Sequence, residues 1–142
     1  MHSTSYKRGQ SFLFRPPPGE DLLVGLYRVC REYNVKFGIF QVMGSVRSAT
    51  LGHLEAETGS LQRQVLENGQ DLVTCNGNVS PQGDSFAIHA YAVLSNGQGQ
   101  VAAGELLAAE VYVAEVLLQE FKGRPQIRDQ DPETGLWLWP VV

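Results

Sequence analysis

The chain has 142 residues, of which 43% are hydrophobic and only 18% charged. That length holds one domain whose core needs neither disulfide nor metal, and the balance excludes a disordered chain. The net charge of −4 excludes nucleic-acid binding by bulk charge, because neutralising phosphates takes a concentrated basic surface.

Residues 6–15 read as a first strand, Phe12 and Phe14 alternating with Leu13 and Arg15. Pro16, Pro17 and Pro18 stop it, since proline donates no ladder hydrogen bond. A helix follows, capped at Gly19 or a neighbour, with Glu20 and Asp21 at its positive end. Leu22, Leu23, Leu26, Val29, Cys30 and Tyr33 form its apolar stripe, and Asn34 is its terminator. Strands are predicted at Val35–Val46 and Ala49–Glu57, then a turn at 58–60 and a strand at Leu61–Leu66. Glu67-Asn68-Gly69 carries a hairpin signal into a strand at Leu72–Val79. Phe86–Ser95, a turn at Asn96–Gly99 and Gln100–Ala103 come next. Leu106–Phe121 is ambiguous: Leu, Ala and Glu favour helix, whereas Val111-Tyr112-Val113 and Val116 favour strand. The tail, 123–142, ends in Leu136-Trp137-Leu138-Trp139, which is too apolar to leave in water and is expected to pack on the domain or on a partner. The whole reads as a single α+β domain over 1–142, one helix against a mostly antiparallel sheet.

Function classes fall away in turn. There is no phosphate-binding glycine loop, no dinucleotide fingerprint, no paired CxxC, no HExxH and no Gly-x-Ser-x-Gly elbow. Cys30 and Cys75 read as core fillers. With no signal peptide and no membrane span in the sequence, a soluble, cytoplasmic, reduced protein is expected. Between Asp71 and Phe121 there is no Lys or Arg, while Asp71, Asp84, Glu105, Glu110, Glu115 and Glu120 are acidic, a distribution that repels DNA and can complement a neighbouring subunit. Lys122-Gly123-Arg124-Pro125 matches the Gly-Arg-Pro core of a minor-groove hook, but acidic residues surround it, so no direct nucleic-acid contact is expected at Arg124. Of three histidines, His2 is terminal. His53 and His89 sit in predicted strands. His89 and Tyr91 are two apart and so share a face, and the turn at 96–99 brings Glu105 within range of them. His89, Tyr91, Glu105 and His53 are the candidate pocket residues.

Several short motifs in order resemble the plants-and-prokaryotes-conserved (PPC) domain family. They are Arg15, Pro18-Gly19-Glu20-Asp21, Val42-Met43-Gly44-Ser45-Val46, Ala49-Thr50-Leu51, Asn76-Gly77-Asn78-Val79-Ser80, Ile88-His89-Ala90-Tyr91, Val101 to Leu106, Glu115-Val116, and the tail from Arg128 to Trp139 with Thr134-Gly135-Leu136. The resemblance implies an antiparallel, barrel-like sheet packed by one long helix, similar to acetolactate decarboxylase, and commonly a homotrimer. It also implies that the ambiguous segment is strand after about Ala109. Plant members are nuclear DNA-binding proteins, in which this domain mediates assembly and partner contacts; prokaryotic members usually stand alone, and the resemblance implies that stand-alone type here.

Many members carry His-x-His on one strand and Gly-Gly-His on the next, a set suited to zinc. Here those positions are His89, Tyr91 and Glu105. A neutral phenol with pKa near 10 is a poor ligand, so no cofactor and no zinc is expected; any metal would fall to His89 and Glu105. The leading expectation is a non-enzymatic, trimeric protein that binds a small ligand or a protein partner, with any DNA association through that partner. The alternative is a metal-dependent enzyme related in fold to acetolactate decarboxylase.

Overall fold

The computed structural model describes residues 4–141, so His2 lies outside the described residues. Among the described residues, eight strands and one helix follow in order: β1 (Lys7–Phe14), α1 (Leu22–Glu32), β2 (Gly38–Leu54), β3 (Leu61–Leu66), β4 (Gln70–Gln82), β5 (Ser85–Ser95), β6 (Val101–Lys122), β7 (Asp129–Gln130) and β8 (Trp137–Leu138).

The helix is short, 11 residues, where a long one was expected. Both ends are set locally. Three prolines and Gly19, at φ 87°, keep the chain extended or turned until Asp21. Asp21 is the N-cap: its Oδ1 accepts from the amides of Leu23 and Val24 at 3.0 and 3.1 Å. At the other end Asn34 takes φ 55°, the left-handed conformation that ends a helix. Leu22, Leu26, Val29 and Cys30 are buried, as the stripe predicted, whereas Tyr33 stays half outside and packs on Phe12, ring centroids 4.8 Å apart.

Every ladder is antiparallel, in the order β1-β6-β5-β4-β2-β3, and β2 also pairs with β6. The pairs β6–β5, β5–β4, β4–β2 and β2–β6 therefore close the ladder on itself. Two long strands make this possible. The predicted strands Val35–Val46 and Ala49–Glu57 are one strand, β2, and the ambiguous segment is part of a single 22-residue strand, β6. β2 lies along β6 from Gly38↔Glu120 to Gly52↔Glu105. The close approach needs Gly44, at φ 143°, where a Cβ would run into the carbonyl of Val113.

The expected hairpin at Glu67–Gly69 is not one. β3 and β4 both pair with β2, in succession, Ala49↔Leu66 and then Val46↔Gln70. The Asn-Gly step is a jog between two segments running along the same edge, and the true hairpin is β2–β3. The core inside the curled sheet joins Leu22, Leu26 and Cys30 of α1 to Leu51, Leu94, Leu106 and Leu118. α1 is tied to β6 by Gly19 N–H to Val111 O, Val111 N–H to Glu20 O, and Ala109 N–H to the second oxygen of Asp21. The helix is not long and apolar enough to cross a membrane.

Candidate functional site

Two hairpins assemble the site. β4 returns into β5 through Gly83, at φ 57°, placing Asn78 opposite His89 and Asn76 opposite Tyr91. β5 returns into β6 through a turn organised by Asn96, whose side-chain oxygen accepts from the amides of Gln98 and Gln100 at 2.9 and 3.0 Å. That turn sets Tyr91 directly across from Glu105. Opposed residues share a face, so Asn78, His89, Tyr91 and Glu105 project together outward from the core.

His89 Nδ1 lies 3.5 Å from Glu105 Oε1, both side chains about 30% exposed (31% and 29%). Burial, reinforced by the Arg128 guanidinium, holds His89 below the usual imidazole range, and the Glu105 carboxylate opposes both. Histidine is therefore neutral near pH 7.

Arg128 is the residue that sequence reasoning missed. The tail returns over the β4–β5 hairpin, its Arg128 amide donating to Pro81 O at 2.8 Å. The Arg128 side chain is 8% exposed. It donates to Asn78 Oδ1 at 2.8 Å and to Trp137 O at 3.2 Å, and it stacks 4.9 Å from the centre of the Trp139 ring. Burial opposes its charge, while Tyr91 and Glu105 support it. Trp139 Nε1 donates to Ser80 Oγ at 2.7 Å, and Ser80 Oγ donates to Gln126 O at 2.7 Å. The Trp139 side chain thus packs on its own domain, while Trp137 offers Arg128 its backbone carbonyl. Asn78 and Arg128 stand 50 positions apart; no local pattern joins them, although both lie within the motifs that carry the family resemblance.

His53 does not join the cluster. On β2, Gly52 pairs with Glu105, and the next residue points the other way. The His53 ring lies over Gly104, 3.1 Å from where a Cβ would stand, on the face opposite Glu105. Arg124 is exposed in a bend beside Pro125 and Asp129, in a separate hollow with Thr4 and Tyr6.

The donors do not fit a zinc ion. His89 and Glu105 already face each other, the third position is a tyrosine, and the Arg128 cation acts on the same groups. Among the described residues no group of three His, Cys, Asp or Glu side chains converges. The cluster offers hydrogen-bond donors on Arg128, His89 and Tyr91 and acceptors on Glu105 and Asn78. Ser80, the nearby hydroxyl, is already held by Trp139 and Gln126.

The profile of the Plants and Prokaryotes Conserved (PCC) domain matches residues 3–122. No curated protein matches the chain. Among solved structures, a plant- and prokaryote-conserved protein of Pyrococcus horikoshii is 31% identical, with a TM-score of 0.93 over 100% of this chain and 99% of that one. A metal-containing protein of Archaeoglobus fulgidus is 28% identical, TM-score 0.92, over 99% and 100%. A candidate DNA-binding protein of Bacteroides thetaiotaomicron is 17% identical, TM-score 0.86, over 95% and 96%, a likeness of fold alone.

Proposed function

The chain belongs to the Plants and Prokaryotes Conserved (PCC) domain family, and on that footing we propose that it is a self-associating binding module of three copies about one axis, without catalytic activity. Its polar cluster of Asn78, His89, Tyr91, Glu105 and Arg128 takes a small polar ligand or a protein partner. One observation carries the reading. A single cross-strand row, Leu13–Leu117–Gln41–Asn76–Tyr91–Glu105, runs over five strands on the outer face. It leads from exposed leucines directly into the polar cluster. Apolar side chains in such a row favour a protein surface over water.

Cys30 and Cys75 support a reducing, cytoplasmic setting: both are free and buried, and burial pushes each thiol up to about 11. Any association with DNA would run through a partner, in keeping with the acidic stretch from Asp71 to Phe121. Light scattering tests assembly: a particle of three times the chain mass at micromolar concentration is expected, and a monodisperse monomer would end the reading.

A second reading, a metal-dependent enzyme, is favoured by the metal-containing relative from Archaeoglobus fulgidus. Metal analysis separates the two. Stoichiometric zinc surviving dialysis would favour the enzyme; well under one zinc per chain is expected here.

A further inference from the structure

The chain contains three asparagine–glycine steps: Asn68-Gly69, Asn76-Gly77 and Asn96-Gly97. At such a step no Cβ shields the glycine nitrogen, which can close on the asparagine carboxamide to form a cyclic imide. Closure needs a carboxamide free to swing over the next amide and a main chain free to follow it. The fold treats the three steps differently.

Asn76-Gly77 lies in mid-β4. It is paired on one side with Tyr91 and Ala90 and on the other with Gln41 and Phe40. Asn76 Nδ2 also donates to Thr74 Oγ1 at 2.8 Å. Asn96-Gly97 lies in a turn, but the turn is built on the Asn96 side chain. Its Oδ1 accepts from the amides of Gln98 and Gln100, and its Nδ2 donates to Gln100 Oε1 at 2.8 Å. Swinging that carboxamide onto Gly97 breaks all three bonds. Asn68-Gly69 has no such restraint. Both residues are exposed in the irregular jog between β3 and β4. Among the described residues the hydrogen bond at this step runs from Gln70 Nε2 to the main-chain oxygen of Asn68, at 3.2 Å, and leaves the carboxamide and the Gly69 amide free. A Cβ on Gly69 would find its nearest neighbour, Val46 O, at 3.9 Å.

We propose that Asn68 is a site of spontaneous modification, converting to isoaspartate and aspartate in the folded chain while Asn76 and Asn96 stay intact. The Gly69 nitrogen gives its proton to solvent and bonds to the Asn68 side-chain carbonyl carbon, and the carboxamide nitrogen leaves as ammonia. Water then opens the imide. Breaking the bond from the side-chain carbon to nitrogen gives aspartate; breaking the one from the main-chain carbon gives isoaspartate, with the chain rerouted through the side chain. Either product carries a new carboxylate, and isoaspartate also lengthens the backbone by one atom. The jog has no slack direction for it: Leu66 is fixed opposite Ala49 and Gln70 opposite Val46. β4 is held by β2 and β5, whereas β3 pairs with β2 alone and is exposed at every residue but Leu66. β3 therefore yields, and the modification loosens the edge of the sheet.

Peptide mass analysis after incubation at mildly alkaline pH reads the three sites separately, with an isoaspartyl methyltransferase as the probe for the rearranged product. In the folded chain Asn68 should convert on the order of tenfold faster than Asn76 or Asn96, and in urea the three rates should draw together. Gly69→Ala, whose Cβ has room, should fold and suppress the conversion. Hydrogen exchange of the aged chain should be faster in β3 and unchanged in β4. Conversion of Asn76 or Asn96 as fast as Asn68 in the folded chain, or an Asn68 that converts only in urea, overturns the site. Conversion that persists in Gly69→Ala overturns the imide route. An aged chain whose β3 amides are as protected as before overturns the loosening.

Discussion

Partial burial, reinforced by the nearby Arg128 guanidinium, lowers the pKa of His89, and the Glu105 carboxylate opposes both. The folded pKa of His89 is below the value near 6.5 of an unfolded imidazole. The unfolded chain therefore binds the proton more readily, so stability is fully present above about pH 6.5 and falls as the pH drops through the folded pKa. Urea unfolding at pH 7.5 and pH 5 should show that loss, and His89→Gln should flatten the profile. An unchanged profile in the variant would mean that carboxylates elsewhere carry the acid sensitivity. The neighbouring identities were readable in the sequence. His89 and Tyr91 share a face because they are two apart on a strand, and one turn brings Glu105 opposite. His53 was misassigned because strand parity depends on register: Gly52, not His53, pairs with Glu105.

At the scale of elements, Asp21 joins the helix to the sheet. One oxygen caps the first turn and the other accepts from Ala109 N–H at 2.8 Å. Asp21→Ala removes both and leaves a strand amide without its partner. The expected cost is about 2 kcal/mol, toward the upper end for a cap, and Asp21→Asn should recover part of it. Chemical denaturation measures both, and a loss under about 0.5 kcal/mol would mean that water replaces the carboxylate. The helix itself was legible from its stripe. Its short length is set by the three prolines before Asp21 and by Asn34 behind. The strands were legible as strands but not as partners. Asn68-Gly69 carries the residues of a hairpin turn, yet β2 is long enough to pair β3 and β4 end to end, and that tertiary pairing overrides the local signal.

For the whole molecule, the tail acts as a strap over the β4–β5 hairpin. Trp139 holds Ser80, and Arg128 bridges Asn78 to the carbonyl of Trp137. Cutting the chain after Thr134 removes both tryptophans and, with them, the Trp137 carbonyl and the Trp139 ring that hold the buried Arg128 guanidinium. Thermal unfolding should drop by several degrees and an apolar dye should bind, while the oligomeric mass stays unchanged, because these contacts are made within one chain. A truncated chain that falls apart into monomers would instead place the tail at the subunit contact.

Composition, the period of the helix stripe and the alternation of the strands were enough to determine an α+β domain with one helix, a mostly antiparallel sheet and buried thiols. These are local properties, written within a few residues of each other. Ordered short motifs were enough to point to the family. Only the tertiary structure decided that β2 and β6 are single long strands whose mutual pairing closes the sheet. It also brought Arg128 to Asn78 and His89 and turned His53 away. Each of these depends on contacts between residues tens of positions apart, and a one-residue change of register reverses which face a side chain occupies.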